Sequence, residues 1–437
     1  MTTAPVRRLI IKLAMPSIAI MLISALYNMA DTFFVGYLGT SEVAAVGIAF
    51  PLMAVIQAIG FFFGQGSGNF ISRALGARDR EGAYRMAATG LFSGTLLMVV
   101  VAALGIVGRD TLVDLLGATP TIKPYAVDYL LYILIGSPFM VGANILNQQL
   151  RFQGSPVAAM TGMVSGAALN LVLDPLFIFT FNLGVSGAAV ATMVSQIVSF
   201  FVLLAYGSTR KENVPIKPRC FAPSTRCYME IFRGGIPSLL RQSLMSVATI
   251  ITNHLAGNYG DAAIAAITIV NRVSMVGTST MLGFGQGFQP VCGFNYGARL
   301  WGRVREGFWF AMRVASGGLL VMAVLLALFA PQIIAVFRDD PEVIRIGIIG
   351  LRLTCVSLPF SACIVMTNML TQTIGRAKEA SLLAVSRQGL FLYPALLALV
   401  PVYGLLGIQL ATPVADLMSF LLAIPLLIRV LRSLREG

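Results

Sequence analysis

"FGQGSGNFISRALGAR" at residues 63–78 returns as "FGQGFQPVCGFNYGAR" at residues 284–299, 221 positions later. The same offset carries Pro16-Ser17 onto Pro237-Ser238, Gly36 and Gly39 onto Gly257 and Gly260, and Ala44-Ala45 onto Ala265-Ala266. It also carries Pro138-Phe139 onto Pro359-Phe360, Asn147 onto Asn368 and Gly154 onto Gly375. One residue of drift later, "GVSGAAVAT" at 184–192 overlays "GLLGIQLAT" at 404–412. Agreement over nearly the whole length makes the chain two copies of one unit. The shared residues are the glycines, prolines and small side chains that set backbone geometry and close helix packing.

Each copy is built for a bilayer. The 437 residues are 57% hydrophobic and only 11% charged, where a soluble domain would carry about 25% charged residues. Apolar runs of roughly 20 residues, the length a membrane-spanning helix needs, fall near 9–35, 43–66, 84–106, 125–149, 156–181 and 183–206 in the first copy. In the second they fall near 229–256, 262–288, 308–330, 344–370, 380–402 and 404–428. Six helices per copy is an even number, so both copies enter the membrane from the same side. Parallel repeats of this kind enclose a cleft that opens alternately to the two sides. The expected architecture is an all-α polytopic membrane protein, twelve helices in two pseudo-symmetric six-helix lobes around a central cleft. The N-lobe is expected over 1–206, a basic linker with Pro215, Pro218 and Pro223 over 207–228, and the C-lobe over 229–437.

The net charge of +13 is a topology signal rather than a nucleic-acid footprint. Arg7, Arg8 and Lys12, then Arg73, Arg78, Arg80 and Arg85, then Arg151 flank alternate loops. Arg210, Lys211, Lys217, Arg219 and Arg226 fill the linker, and Arg299, Arg303, Arg305, Arg376, Lys378, Arg429, Arg432 and Arg435 continue the pattern. The intervening loops hold only Arg109, Lys123, Arg338 and Arg345. That alternation follows the positive-inside rule and places both termini in the cytoplasm, as expected for a bacterial inner-membrane protein. The first apolar stretch is too long for a cleavable signal peptide and has no cleavage site. Five cysteines show no paired spacing, and the single histidine, His254, is far from Cys220 and Cys227. No zinc site, cofactor or nucleophile–base pair follows from such a set, so an enzyme is not expected.

Two acids stand out in this apolar chain. Asp31, in "ALYNMADTFFVG" at 25–36, and Asp174 both fall inside apolar runs, where an aspartate costs about 2.5–3.5 kcal/mol. Neither recurs in the second copy: Asp31 falls on Thr252, and Asp174 on Pro394 or Ala395. Acids needed for scaffold alone would appear twice, so these belong to an activity of the first lobe. Counted from the outer ends of their helices, both lie roughly 6–10 Å deep at 1.5 Å per residue, and Thr192 about 13 Å. Tyr27 stands one turn before Asp31, and Asn170 one turn before Asp174. Pro175 leaves the carbonyl of Leu171 without its helical partner, and a free carbonyl at membrane depth is tolerated where it lines a cavity or binds an ion. Carboxylates, an amide, a hydroxyl and a carbonyl suit Na⁺. The same carboxylates could carry H⁺, because burial and a like-charged neighbour each raise an aspartate pKa.

"YNMADTFFVGYLG" (27–39), "FGQGSGNFISRALGAR" (63–78) and "ALNLVLDPLFIF" (168–179) together resemble the multidrug and toxic compound extrusion family, and the likeness extends across all twelve helices. The resemblance implies a V-shaped pair of lobes exchanging Na⁺ or H⁺ for organic, often cationic, compounds. It implies a cation site at Asp31, Asn170, Asp174 and Thr192, flanked by Tyr27, Asn144 and Asn147, although Asn147 has a repeat mate in Asn368 and fits a packing role at least as well. Further acids found on C-lobe helices of some members have no match here. A bend at Pro16 fits the family's picture of the first helix.

Other signals are weaker. "GQGSG" at 64–68 lacks the Lys-Ser/Thr ending of a phosphate loop. "DREGAYR" at 79–85 resembles a loop of the major facilitator transporters, which makes that superfamily an alternative. Arg241, Arg272 and Arg387 fall inside second-half helices; they either neutralise buried acids or line the cleft and favour anionic groups. Met53, Gln57, Phe61 and Met275 are further cleft candidates, since methionine and aromatic surfaces adapt to varied ligands. Asp128 and Asp416 read as structural. The expected function is a monomeric antiporter for small organic substrates, with a flippase for lipids or lipid-linked sugars as the alternative from a related two-lobe fold.

Overall fold

The computed structural model describes residues 1–437 apart from 210–212, 338–339 and 435–437; within helices, the side chains of 25–33, 35–36, 40, 209 and 261 are also outside the described residues. Twelve long helices follow one another. The first repeat holds α1 (Val6–Gly36), α2 (Thr40–Gly76), α3 (Arg80–Val107), α4 (Lys123–Phe152), α5 (Pro156–Pro175, continued by a π-helical turn over Leu176–Thr180) and α6 (Gly184–Thr209). The second holds α7 (Thr225–Gly257), α8 (Asp261–Gly297), α9 (Trp301–Leu328) and α10 (Pro341–Thr373). It closes with α11 (Ala377–Val385, a π-helical turn Ser386–Phe391, then Leu392–Tyr403) and α12 (Leu405–Ser433). Among the described residues ten of these are long and apolar enough to cross a bilayer. The other two are α1, much of whose outer half is undescribed, and α7, which carries Glu230, Arg233, Arg241 and His254. The protein is an integral membrane protein of twelve helices.

Several helices outrun their apolar stretches. The run at 43–66 belongs to α2, which has 37 residues, as does its repeat mate α8. At 1.5 Å per residue each is about 55 Å long, against a hydrocarbon core of about 30 Å. Hydropathy marks the part in lipid, and the helix continues through "GQG" to "GAR". That last motif is a stop. Arg78 and Arg299 take left-handed φ of 64° and 58°, and the next N–H groups, of Asp79 and Leu300, turn back to the carbonyls of Ala74 and Asn295 at 2.8 and 2.9 Å. This is the Schellman arrangement that satisfies the last carbonyls of a helix. Gly154 and Gly375, both at φ 85°, end α4 and α10 in the same way.

The chain divides into two compact units, one of Ala19–Gly235 and one of Met1–Ile18 with Ile236–Gly437. These do not coincide with lobes cut at 206 and 229. The foot of α1 packs with the second repeat, and the foot of α7 with the first. Glycines make the exchange possible. A Cβ added at Gly287 of α8 would lie 2.4 Å from the backbone N and Cα of Ala14, and one at Gly283 would lie 2.7 Å from the Cα of Ile18. In the other unit, a Cβ at Gly66 of α2 would lie 2.3 Å from the carbonyl oxygen of Ile231. The closing glycine of each "FGQG" is therefore a slot for the foot of the other repeat's first helix. Polar ties hold each foot: Arg7 to Glu306 at 3.3 Å in one unit, and Arg73 to Glu230 at 2.8 Å in the other. The crossings fall within two residues of Pro16 and Pro237.

Gly287→Ala is expected to lower stability by about 1–3 kcal/mol, the usual cost of overpacking, toward the upper end because the atoms met are backbone. Thermal unfolding of the purified transporter checks this. Gly317→Ala, where nothing lies within 4 Å of the added carbon, should leave the midpoint unchanged or raised.

Candidate functional site

The candidate site lies along the seam between α5 and α6. Gly162, Gly166, Asn170 and Asp174 recur every four residues along α5 and are all buried, so they form one stripe. At its start the stripe is glycine because α6 approaches too closely for anything larger. A Cβ at Gly162 would lie 2.3 Å from Leu203 Cγ, and one at Gly166 would lie 2.9 Å from Ser199 Cβ. Ser199 Oγ donates to the carbonyl of Gly162 at 3.0 Å and locks the register. Further along, the glycines give way to polar side chains. Asn170 Nδ2 donates to Thr192 Oγ1 of α6 at 3.4 Å, and one turn on Asp174 is fully enclosed.

Two buried oxygens at this seam, Asn170 Oδ1 and Ser195 Oγ, have no hydrogen-bond partner among the described residues. Both oxygens can serve a ligand as acceptors, as can other buried oxygens without a partner among the described residues, such as Gln289 Oε1 and Asn368 Oδ1. Beyond Asp174 the helix changes pitch. Pro175 cannot donate to Leu171, and the chain widens into the π turn Leu176–Thr180, a feature that recurs at functional sites. Gly187 at the start of α6 rests against this turn, where an added Cβ would lie 2.7 Å from the carbonyl oxygen of Phe177.

Asn170, Asp174 and Thr192 thus share one buried seam. Asp31 and Tyr27 lie in α1, with side chains outside the described residues. The Leu171 side chain is half exposed, away from the seam, and only its carbonyl was expected to take part. Asn147 does not flank the site. Its Nδ2 donates to the carbonyl of Ala159 at 3.2 Å, fifteen residues or about 22 Å along α5 from Asp174. Asn368 makes the matching bond to Ala380 at 2.6 Å, so this asparagine is a packing tie used in both repeats. Asn144 is half-buried against α2, and a Cβ at Gly60 would lie 2.9 Å from its own Cβ.

The cleft candidates divide. Met53 packs against the first unit's core, and Phe61 and Arg241 are half-buried. Gln57 and Met275 are exposed, and Arg272 lines a cavity of about 280 Å³ with Thr268 and Phe337. Arg387 resolves toward neutralising a buried acid: its Nε and Nη2 donate to the two carboxylate oxygens of Asp416 at 2.5 and 3.2 Å. Sequence reasoning missed Ser195. Its signal was a hydroxyl three residues after Thr192, on the same face of α6.

Thr192→Val removes an oxygen at nearly constant shape. It is expected to raise the ion concentration for half-maximal export about tenfold, a loss of about 1.4 kcal/mol, with little change in thermal stability. Ion titrations of export in proteoliposomes measure this.

A twelve-helix membrane protein of two repeats, with a polar seam sealed inside one of them, has the build of a secondary transporter. The MatE family model matches it over residues 16–176 and 237–395, one match per repeat. A multidrug export protein MepA of Staphylococcus haemolyticus is 27% identical over 403 residues, 92% of this chain and 89% of that one. Its Staphylococcus aureus counterpart is 26% identical over 433 residues, 98% and 95% of the two chains. A multidrug resistance MATE family transporter solved in an outward-facing conformation superimposes with a TM-score of 0.92 at 30% identity, over 99% of this chain and 98% of that one. The chain belongs to the MATE family of multidrug efflux transporters. This membership replaces the major facilitator alternative.

Proposed function

We propose that the protein is an antiporter that exports small organic compounds from a bacterial cytoplasm across the inner membrane in exchange for H⁺ or Na⁺. The observation that carries this reading is Asp174: a fully buried carboxyl group within a spanning helix, one turn along the same stripe from Asn170, which bonds to Thr192. The donors are all oxygen, a set that serves a hard monovalent cation or a proton. Asp31, five residues before the outer end of α1 at Gly36, is assigned as the second acid of the site.

In this mechanism substrate loads from the cytoplasmic side. An ion entering from outside binds at Asp174, Asn170 and Thr192, and changes the packing of α5 and α6 at the π turn. That conformation binds substrate more weakly, and release follows. Exchange requires that the ion bind one facing state more tightly than the other, and a seam that tightens around it in one state supplies the difference. The relatives named for multidrug export support organic compounds as cargo.

The test is efflux of a fluorescent organic cation from proteoliposomes with the pH and sodium gradients imposed separately. Export that follows one gradient and stops when it is collapsed supports the reading and names the ion. Transbilayer movement of labelled lipid without either gradient, and no dye export, would replace it with a flippase.

A further inference from the structure

The two repeats differ at one corner. In the first, the end of α4 and the segment after α6 close on each other. Ser155 Oγ donates to Asn213 Oδ1 at 2.6 Å, the N–H of Val214 donates to Gln153 Oε1 at 2.8 Å, and Asn213 and Val214 are both buried. The equivalent residues of the second repeat are Arg376 and Ser433, and they too meet: Arg376 Nη2 donates to Ser433 Oγ at 2.5 Å. Here, however, the corner is open. It holds a cavity of about 520 Å³ between the start of α11 and the last turns of α12.

The lining of this cavity is graded. Pro425, Ile428, Arg429 and Arg432 follow one another along a single exposed face of α12, apolar first and cationic at the end. Arg376 and Glu379 face them from α11, with Arg376 Nη1 3.6 Å from Glu379. Among the described residues three guanidinium groups therefore meet one carboxylate, and neither Arg429 nor Arg432 has a carboxylate partner. In the first repeat this space is filled by the residues that follow α6; in the second it is open and positively charged among the described residues.

We propose that this corner binds the phosphate of an anionic phospholipid headgroup, with the upper acyl chain along Pro425 and Ile428. Guanidinium groups bind phosphate oxygens through paired, charge-assisted hydrogen bonds, and basic pockets between spanning helices recognise anionic headgroups. The last turns of a spanning helix lie at headgroup depth. The apolar approach favours a lipid over a soluble phosphate, because an exposed Pro425–Ile428 face adds nothing to the binding of a bare anion. The site is separate from the α5–α6 seam and does not depend on which ion drives transport.

The test uses the full-length transporter in neutral detergent. Retention of phosphatidylglycerol, phosphatidylcholine and soluble glycerol 3-phosphate is read by native mass spectrometry, and the thermal midpoint is followed with each. Phosphatidylglycerol should bind in preference to phosphatidylcholine and raise the midpoint. R429Q/R432Q should weaken that binding at least tenfold, while R429K/R432K keeps most of it. Both side chains are exposed, so the glutamine variant should elute as wild type. Equal retention of the two lipids, or wild-type binding by the glutamine variant, overturns the proposal. Glycerol 3-phosphate binding as tightly as the lipid would also overturn it, in favour of a soluble phosphate site.

Discussion

Asp174→Asn is expected to reduce ion-driven export to the level of empty liposomes while the protein stays folded. The change keeps the shape of the side chain and removes its charge and its titratable proton. A carboxylate at this depth costs about 2.5–3.5 kcal/mol, so the amide should cost no stability. The thermal midpoint is expected to hold or rise, and loss of export could not then be assigned to unfolding. The effect is the same for either ion, because an ion without preference for one facing state shifts nothing. Export by the variant above about a tenth of the wild-type rate would remove Asp174 from coupling.

The largest effect on stability is expected at Asp416→Ala. Asp416 is fully buried on α12, and both its oxygens accept from Arg387 in the π turn of α11. Removing one member of a buried pair leaves an uncompensated charge, at a cost of about 3–5 kcal/mol. The Arg387 side chain is 23% exposed, so water relieves part of that charge and the lower end is expected. The double replacement R387L/D416L removes both charges and should recover most of the loss. A double-mutant cycle on the thermal midpoint isolates the pair. A single replacement that costs under about 1 kcal/mol would show that the pair does not hold α11 to α12.

How much of this was legible in the sequence depends on the range of the interaction. The twelve helices and the repeat were, because apolar runs and repeated glycines are local marks. The helix ends were not, since α2 continues ten residues past its apolar run at 66 to Gly76, and water-facing turns carry no hydropathy signal. Asn170 and Asp174 could be aligned because they are one turn apart on one helix. Counting depth put Thr192 near their level, and Asn170 bonds to it. Arg387 and Asp416 were both visible as intramembrane charges, but their pairing across 29 residues needs the packing of α11 on α12. Pro175 announced a break in α5, whereas the π turn of α11 lies before Pro394 and had no such flag. Asn147 was a site candidate through the family resemblance, and its twin Asn368 was the sign of a shared structural duty.

The swapped feet of α1 and α7 have a consequence for the history of this architecture. Neither half of the polypeptide contains all of one compact unit: a chain severed at the linker would yield two pieces, each missing a short helical foot that the other carries. A single-repeat ancestor could have completed its lobe only by lending its opening segment to a twin and borrowing one in return. Fusion of the two genes would then have made permanent an intertwining that began between separate molecules.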